Sequence, residues 1–293
     1  MDDLNPETHM TESKARPAVV VGIDGSEAAI RAARWAVRAA VGRNLPLRLI
    51  YVIEPGSEAV RLEAEYAGIA LREARAAVTT SGQEVDVETG IRYGRIDAVL
   101  AQESCNAEMI CVGTGDVDSD SDDLSDRPAH TTASDLTRSA RCRVVVVGQL
   151  DEEPPAEPGC LAVVIDESST AELMLQDAFR EARLRNCALM VLDVGAPTLD
   201  VSLNHRISRW QASYPDVPVH CLALRTDVIA FLEQCASSIS TTFVDGSDSD
   251  WAARLIATRV DGSVSQSHRH GLRHAGLAGA ASLDGELTSL SGS

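Results

Sequence analysis

Residues 18–55 (AVVVGIDGSEAAIRAARWAVRAAVGRNLPLRLIYVIEP) and 160–197 (CLAVVIDESSTAELMLQDAFREARLRNCALMVLDVGAP) align without a gap at a constant offset of 142 positions. Asp24 falls on Asp166, Ser26 on Ser168, Ala36 on Ala178 and Leu47 on Leu189. Arg43-Asn44 falls on Arg185-Asn186, and Pro55 on Pro197. An offset held over this length indicates an internal duplication. The 293 residues therefore read as two units of ordinary domain size. Between them, QLDEEPPAEPG is rich in Pro and Glu and reads as a linker.

Each unit opens in the same way. The apolar run Ala18–Ile23 predicts a buried parallel strand. Asp24-Gly25-Ser26 breaks it. Ser26 suits a helix N-cap, and Glu27 puts negative charge in the first turn. Ala29, Ala32, Ala33, Ala36, Val37 and Ala40 recur at helical spacing, and Asn44 stops the helix. A second strand, Leu47–Ile53, ends before Pro55, which completes a βαβ unit. The alternation continues. Helices are expected over 58–81, Ile96–Ser104 and Thr131–Ala140, and strands over Val85–Ile91, Met109–Gly113 and Arg143–Val147. Five strands alternating with helices predict a doubly wound α/β sheet. Ligands of such sheets bind beyond the C-terminal strand ends.

Charge excludes one class of partner. Net charge is −18 and no basic run occurs, so nucleic-acid binding, which needs a basic face, is not expected. No apolar run reaches the roughly 18 residues of a membrane helix. The seven cysteines are scattered without a C-x-x-C pair and without a secretory leader. They read as reduced, buried thiols in a cytoplasmic protein. No G-x-S-x-G, P-loop or Cys/His pairing appears, so catalysis is not expected.

The stretches VVVGIDGSEAAIRAARWAVRAA, AEMICVGTG and RCRVVVVG resemble the first strand and helix, the fourth strand and the fifth strand of the universal stress protein family. The likeness is to the tandem two-domain form found in actinobacteria, including mycobacteria. It covers most of residues 17–148 and the first part of 160–260. It implies two five-stranded parallel sheets of order 3-2-1-4-5, each Rossmann-like in the manner of the adenine nucleotide alpha hydrolases. The implied organisation is a disordered tail at 1–16, domain 1 at 17–148, a linker at 149–159, a degenerate domain 2 at 160–264 and a disordered tail at 265–293.

The resemblance also implies a cofactor. ATP-binding members carry G-x-x-G-x(9)-G-[S/T] after the fourth strand, where glycine N–H groups and a helix N-terminus hold phosphates. Carried over, Asp24 matches the first-strand aspartate, Val52 lies near the second-strand backbone position, and Gly113 is the first loop glycine. The second glycine position holds Asp116, with Gly115 one residue early. Thr131 takes the Ser/Thr place after His130. The implied ligand is ATP, with Mg²⁺ entering only alongside the nucleotide. The implied assembly is a homodimer.

The loop itself opposes that ligand. Asp116, Asp118, Asp120, Asp122, Asp123 and Asp126 lie within eleven residues, opposed by Arg127 alone. Like charges roughly 6 Å apart repel by about 1 kcal/mol or more at a protein surface. Three readings stay open: a solvated acidic loop, nucleotide binding through Asp24, Gly113, Gly115 and Thr131 with the insert swung aside or bridged by Mg²⁺, and a divalent-cation loop. For the last, the 1, 3, 5 spacing is present but the Gly at 6 and the Glu at 12 are missing. Asp24 reads equally as a turn residue, and Thr131 as a helix cap.

The second unit decays. Asp245 stands where the first has Gly113, and SQSHRHGLRHAGLAG follows Val264, so no Val/Ile-rich fifth strand is found. That leaves the fourth strand as an exposed edge. His268, His270 and His274 read as tail rather than metal ligands, because no Cys or carboxylate completes a set. Two functions are carried forward: a non-catalytic stress-response protein with an ATP site in domain 1, or a nucleotide-free regulatory protein on the same fold.

Overall fold

The computed structural model describes residues 16–56, 60–113, 133, 135–136, 138–148, 159–165, 171–194, 201–224, 227–235, 238–245 and 263–267. In the first half, β1 (Ala18–Ile23), α1 (Glu27–Arg43), β2 (Leu47–Ile53), α2 (Val60–Thr79), β3 (Val87–Tyr93), α3 (Ile96–Ser104), β4 (Ala107–Gly113) and β5 (Arg143–Val147) alternate as expected. The second half contains β6 (Cys160–Ile165), α4 (Ala171–Arg185), β7 (Leu189–Asp193), α5 (Val201–Ser213), β8 (Val219–Ala223), α6 (Val228–Gln234), β9 (Ile239–Asp245) and β10 (Ser263–Ser267). Of the helix expected over 131–140, Ala133, Asp135, Leu136, Arg138 and Ser139 are helical.

All ten strands join one sheet of order β3-β2-β1-β4-β5-β10-β9-β6-β7-β8. Each half is parallel within itself, with orders 3-2-1-4-5 and, in the second, 8-7-6-9. The duplication is visible in the register. Val19 pairs with Leu47, and Leu161 with Leu189, at the same offset of 142. Beyond β2 the offset drops to 132, since Val87 corresponds to Val219 and Met109 to Thr241. The second half is shorter between its second and third strands, where α5 replaces the longer α2.

The helix signals act where the sequence places them. The Ser26 hydroxyl accepts from Ala29 N at 3.1 Å. Asn44 adopts the left-handed conformation, φ 53°, and so does Asn186, at the same φ. Asparagine tolerates that region because its short side chain bonds locally. β3 begins at Val87 rather than Val85, since Leu47 pairs with Val87 and its N–H donates to the Asp86 carbonyl. β4 starts at Ala107, two residues ahead of the apolar run.

Burial follows strand alternation. Val19, Val21 and Ile23 face α1 and α2, while Ala18 and Val20 face α3 on the other side. The α3-side cluster runs on through Val144, Val146, Ala162 and Leu192 into the second half. One apolar layer thus crosses the junction.

The end of the second half differs from the expectation. Ser263–Ser267 forms a strand, parallel to β9 and antiparallel to β5. The edge expected to stand open is covered by the polar segment SVSQS, which extends past residue 264. Backbone groups supply that pairing, so an apolar pattern is not required for it.

Candidate functional site

The C-terminal ends of β2, β1 and β4 lie side by side. Ile23 pairs with Tyr51, which sets Asp24 just beyond β1 and Val52 next in β2, while Gly113 closes β4 across from Val147. Three sequence-derived candidates therefore share one corner. Gly115 and Thr131 lie outside the described residues, as do the aspartates of 116–126 and the histidines at 268, 270 and 274.

Asp24 is exposed. Its Oδ1 accepts from Ser26 N at 2.9 Å and from the Ser26 hydroxyl at 2.6 Å. Ser26 in turn caps α1, so carboxylate, hydroxyl and helix form one chain of bonds. Oδ2 makes no hydrogen bond among the described residues. Gly25, at φ +88°, turns the chain into α1, and any Cβ there would lie 2.5 Å from the Tyr66 hydroxyl. Tyr66 stands edge-on to Tyr51, with ring centroids 6.3 Å apart. Burial, and then Glu63, Tyr66 and Asp24, push the Tyr51 phenol above its ordinary value. The α2 side of the turn is thus filled and negatively charged.

The α3 side is more open. Gly22, Val52 and Ile96 are half-buried around Val112 and Leu100. A Cβ on Gly22 would sit 3.6 Å from Val112 Cγ1 and 3.9 Å from Leu100 Cδ1, so glycine leaves an apolar notch beside Asp24. Glu54 bounds it, accepting from Ile96 N at 3.1 Å and so capping α3.

Gly113 has a packing role. A Cβ there would lie 2.3 Å from both C and O of Ala28, so β4 ends against the first turn of α1. A second hollow, of about 560 Å³, is lined by Val78, Gly82, Glu84 and Val87, at the opposite end of the sheet from Asp24. Among the described residues no group of His, Cys, Asp and Glu is arranged to hold a metal ion. No helix of the described residues is long and apolar enough to cross a membrane.

A family model described as Universal stress protein family matches residues 16–148. A universal stress protein of Mycobacterium tuberculosis (strain ATCC 25618 / H37Rv) is 32% identical over 245 residues, covering 81% of this chain and 89% of the relative. The chain belongs to the universal stress protein family. Another universal stress protein of the same strain is 37% identical over 224 residues, covering 72% of this chain and 81% of its own. The crystal structure of a universal stress protein from Archaeoglobus fulgidus DSM 4304 has a TM-score of 0.67 at 15% identity, over 86% of this chain and 98% of that one. That likeness is one of fold.

The fold brings the sequence-derived candidates Asp24, Val52 and Gly113 to one corner, bordered by Gly22, Glu54, Ile96 and Leu100, which the sequence reading did not single out. Gly22 carried a signal, since a glycine inside a strand marks space or close approach. Glu54 carried little, because a carboxylate between a strand and Pro55 looks like any loop acid. In the second half, Asp245 ends β9 as Gly113 ends β4. Asp166 and Ser168 lie outside the described residues.

Proposed function

We propose that this protein is a non-catalytic, cytoplasmic stress-response regulator that binds an adenine nucleotide, ATP, at the C-terminal strand ends of its first half. The carrying observation is Asp24. One carboxylate oxygen is fixed by Ser26 at 2.9 and 2.6 Å, and the other is left to an incoming donor beside the Gly22–Val52–Val112 notch. A pre-oriented acceptor next to an apolar floor favours a nucleoside, since little ordering is needed on binding. Mg²⁺ would enter with the nucleotide, as a screen between its phosphates and the acidic stretch of the following loop.

A second reading has its own observation. Gly113 is required by Ala28, and Asp24 is engaged in capping, so both have structural work in the absence of ligand. On that reading the protein is a nucleotide-free regulator, and its ligand is another protein. Calorimetric titration of ATP, with and without Mg²⁺, into wild type and Asp24→Ala separates the two. The nucleotide reading expects micromolar binding that Asp24→Ala weakens at least tenfold. Absence of heat to millimolar ATP overturns it.

A further inference from the structure

α1 and α4 pack against each other where the halves meet. Their last residues, Arg43 and Arg185, are repeat equivalents, and each precedes a left-handed asparagine. Both reach the same carboxylate. Arg43 Nη2 donates to Glu181 Oε2 at 2.7 Å, and Arg185 Nε donates to Glu181 Oε1 at 2.8 Å. The side chains of Arg43 and Glu181 are 0% and 1% exposed. The repeat equivalent of Glu181 is Ala39. Ala39 offers only its carbonyl, which accepts from Arg43 Nη1 at 3.2 Å. The junction repeats its backbone and not its charges.

A second ion pair follows the same rule. Arg143 of β5 bonds Asp177 of α4, and the repeat equivalent of Asp177 is Trp35. The Arg185 guanidinium lies over the Trp35 ring, 4.2 Å from its centroid. At the buried centre, both carboxylates, Glu181 and Asp177, come from half two, while half one supplies Arg43, Arg143 and the Trp35 ring. Toward solvent the polarity is reversed, with Arg180 of half two 3.6 Å from Glu108 of half one. The fifth-strand edge is also taken, since β5 pairs antiparallel with β10.

We infer that Glu181 selects the partner of half one: this surface accepts half two of its own chain and rejects a second copy of itself. Two half-one surfaces brought together by the same arrangement would bury two copies of Arg43 with Ala39 at both carboxylate positions. Buried guanidiniums without a counter-charge are strongly unfavourable, so self-pairing is disfavoured by charge even where shapes match. Within this chain the edge of β5 is paired by β10 of the other half.

The test uses the full chain. Glu181→Ala reproduces, at this one position, what a half-one self-pair would bury, two arginines without their shared carboxylate, and leaves the Arg143–Asp177 pair in place. Glu181→Gln keeps the shape and removes the charge. Ala39→Glu added to either returns the carboxylate at the repeat-equivalent position. Thermal unfolding should fall by roughly 5–15 °C in both single variants. The added Ala39→Glu should recover at least half of the loss. A wild-type midpoint for Glu181→Gln overturns the inference. Failure of Ala39→Glu to recover any stability overturns it equally. Should Glu181→Ala fail to fold, Glu181→Gln with and without Ala39→Glu carries the same comparison, and equal midpoints for those two reject the idea.

Discussion

Glu181 Oε2 lies 2.7 Å from Arg43 Nη2 where neither side chain meets solvent, joining helices from opposite halves of the chain. Burial pushes the Glu181 carboxyl up, but Arg185 and Arg43, with Arg143 behind them, pull it down further, and the net position is below the ordinary range. A carboxylate depressed in the folded state stabilises above its unfolded pKa, and that stability is lost as pH falls through the folded value. The stabilisation that Glu181 contributes should therefore be constant from pH 7 down to about pH 4.5 and shrink below it. Glu181→Gln starts lower, and this group contributes nothing to its acid sensitivity. Melting curves for the two proteins should converge as pH falls, and a constant gap from pH 7 to pH 3 would contradict the assignment.

Two glycines at close contacts should respond unequally to a methyl group. A Cβ at Gly113 meets Ala28 backbone at 2.3 Å, and backbone there cannot move without disturbing the first turn of α1. A Cβ at Gly42 meets the Leu184 methyl at 2.4 Å, the end of a flexible side chain. Gly113→Ala should cost about 3 kcal/mol, the upper part of the overpacking range, and Gly42→Ala about 1 kcal/mol or less. Urea midpoints measure both. The reverse ranking would mean that the close approach of α1 to α4 is the stiffer contact.

The paired helix stops offer an internal control. Asn44 N donates to the Val41 carbonyl at 3.0 Å and Leu45 N to Ala40, a pattern that Asn186 and Cys187 repeat with Arg183 and Ala182. Asn44→Ala and Asn186→Ala should each cost about 1 kcal/mol, from the left-handed backbone of a residue with a Cβ and no local polar group. Glycine at either position should be close to neutral. The double alanine variant should show the sum if each stop acts locally, and a departure from it would measure coupling through Glu181, which Arg43 and Arg185 share. Chemical denaturation of the five variants checks this.

Thiol chemistry should divide the seven cysteines by depth. All are free, and Cys105 alone is exposed. Burial pushes Cys142 up to about 12 and Cys187 to about 11, and raises Cys111 as well. A thiol near 12 has roughly one thiolate in ten thousand at pH 8. Brief alkylation of the native protein at pH 8, read by peptide mass, should label Cys105 first and leave Cys111 and Cys142 unmodified until denaturant is added. Early labelling at Cys111 would mean that the sheet opens locally.

Local chemistry was legible wherever it acts within a few residues. Ser26 capping, the Asn44 stop and the first-half strands could be read because caps and turns depend on neighbours in sequence, and buried parallel strands show as apolar runs; their order in the sheet came only from the family resemblance. The candidate site was half legible. Asp24 and Gly113 sit at strand ends that the alternation locates, whereas Glu54 and Leu100 join them only through the packing of α3 against β1 and β2.

Glu181 shows the limit. On the sequence it is an i,i+4 partner of Arg185 on one helix, the pattern of a solvent-facing pair worth a few tenths of a kcal/mol. Its burial and its contact with Arg43, 138 residues away, come from docking two sheets edge to edge. The strand Ser263–Ser267 is a parallel case, since its five residues carry no apolar pattern and become a strand because β5 and β9 each present a free row of backbone groups.

What the sequence determined by itself was the duplicated α/β fold and the start and stop of the first helix of each half, because periodicity and capping are short-range. Only the tertiary structure decided that the two halves form a single ten-stranded sheet, and that one carboxylate serves two equivalent arginines at their junction. Backbone pairing and buried charge take their energy from whatever stands opposite, and that is set by docking rather than by neighbours along the chain.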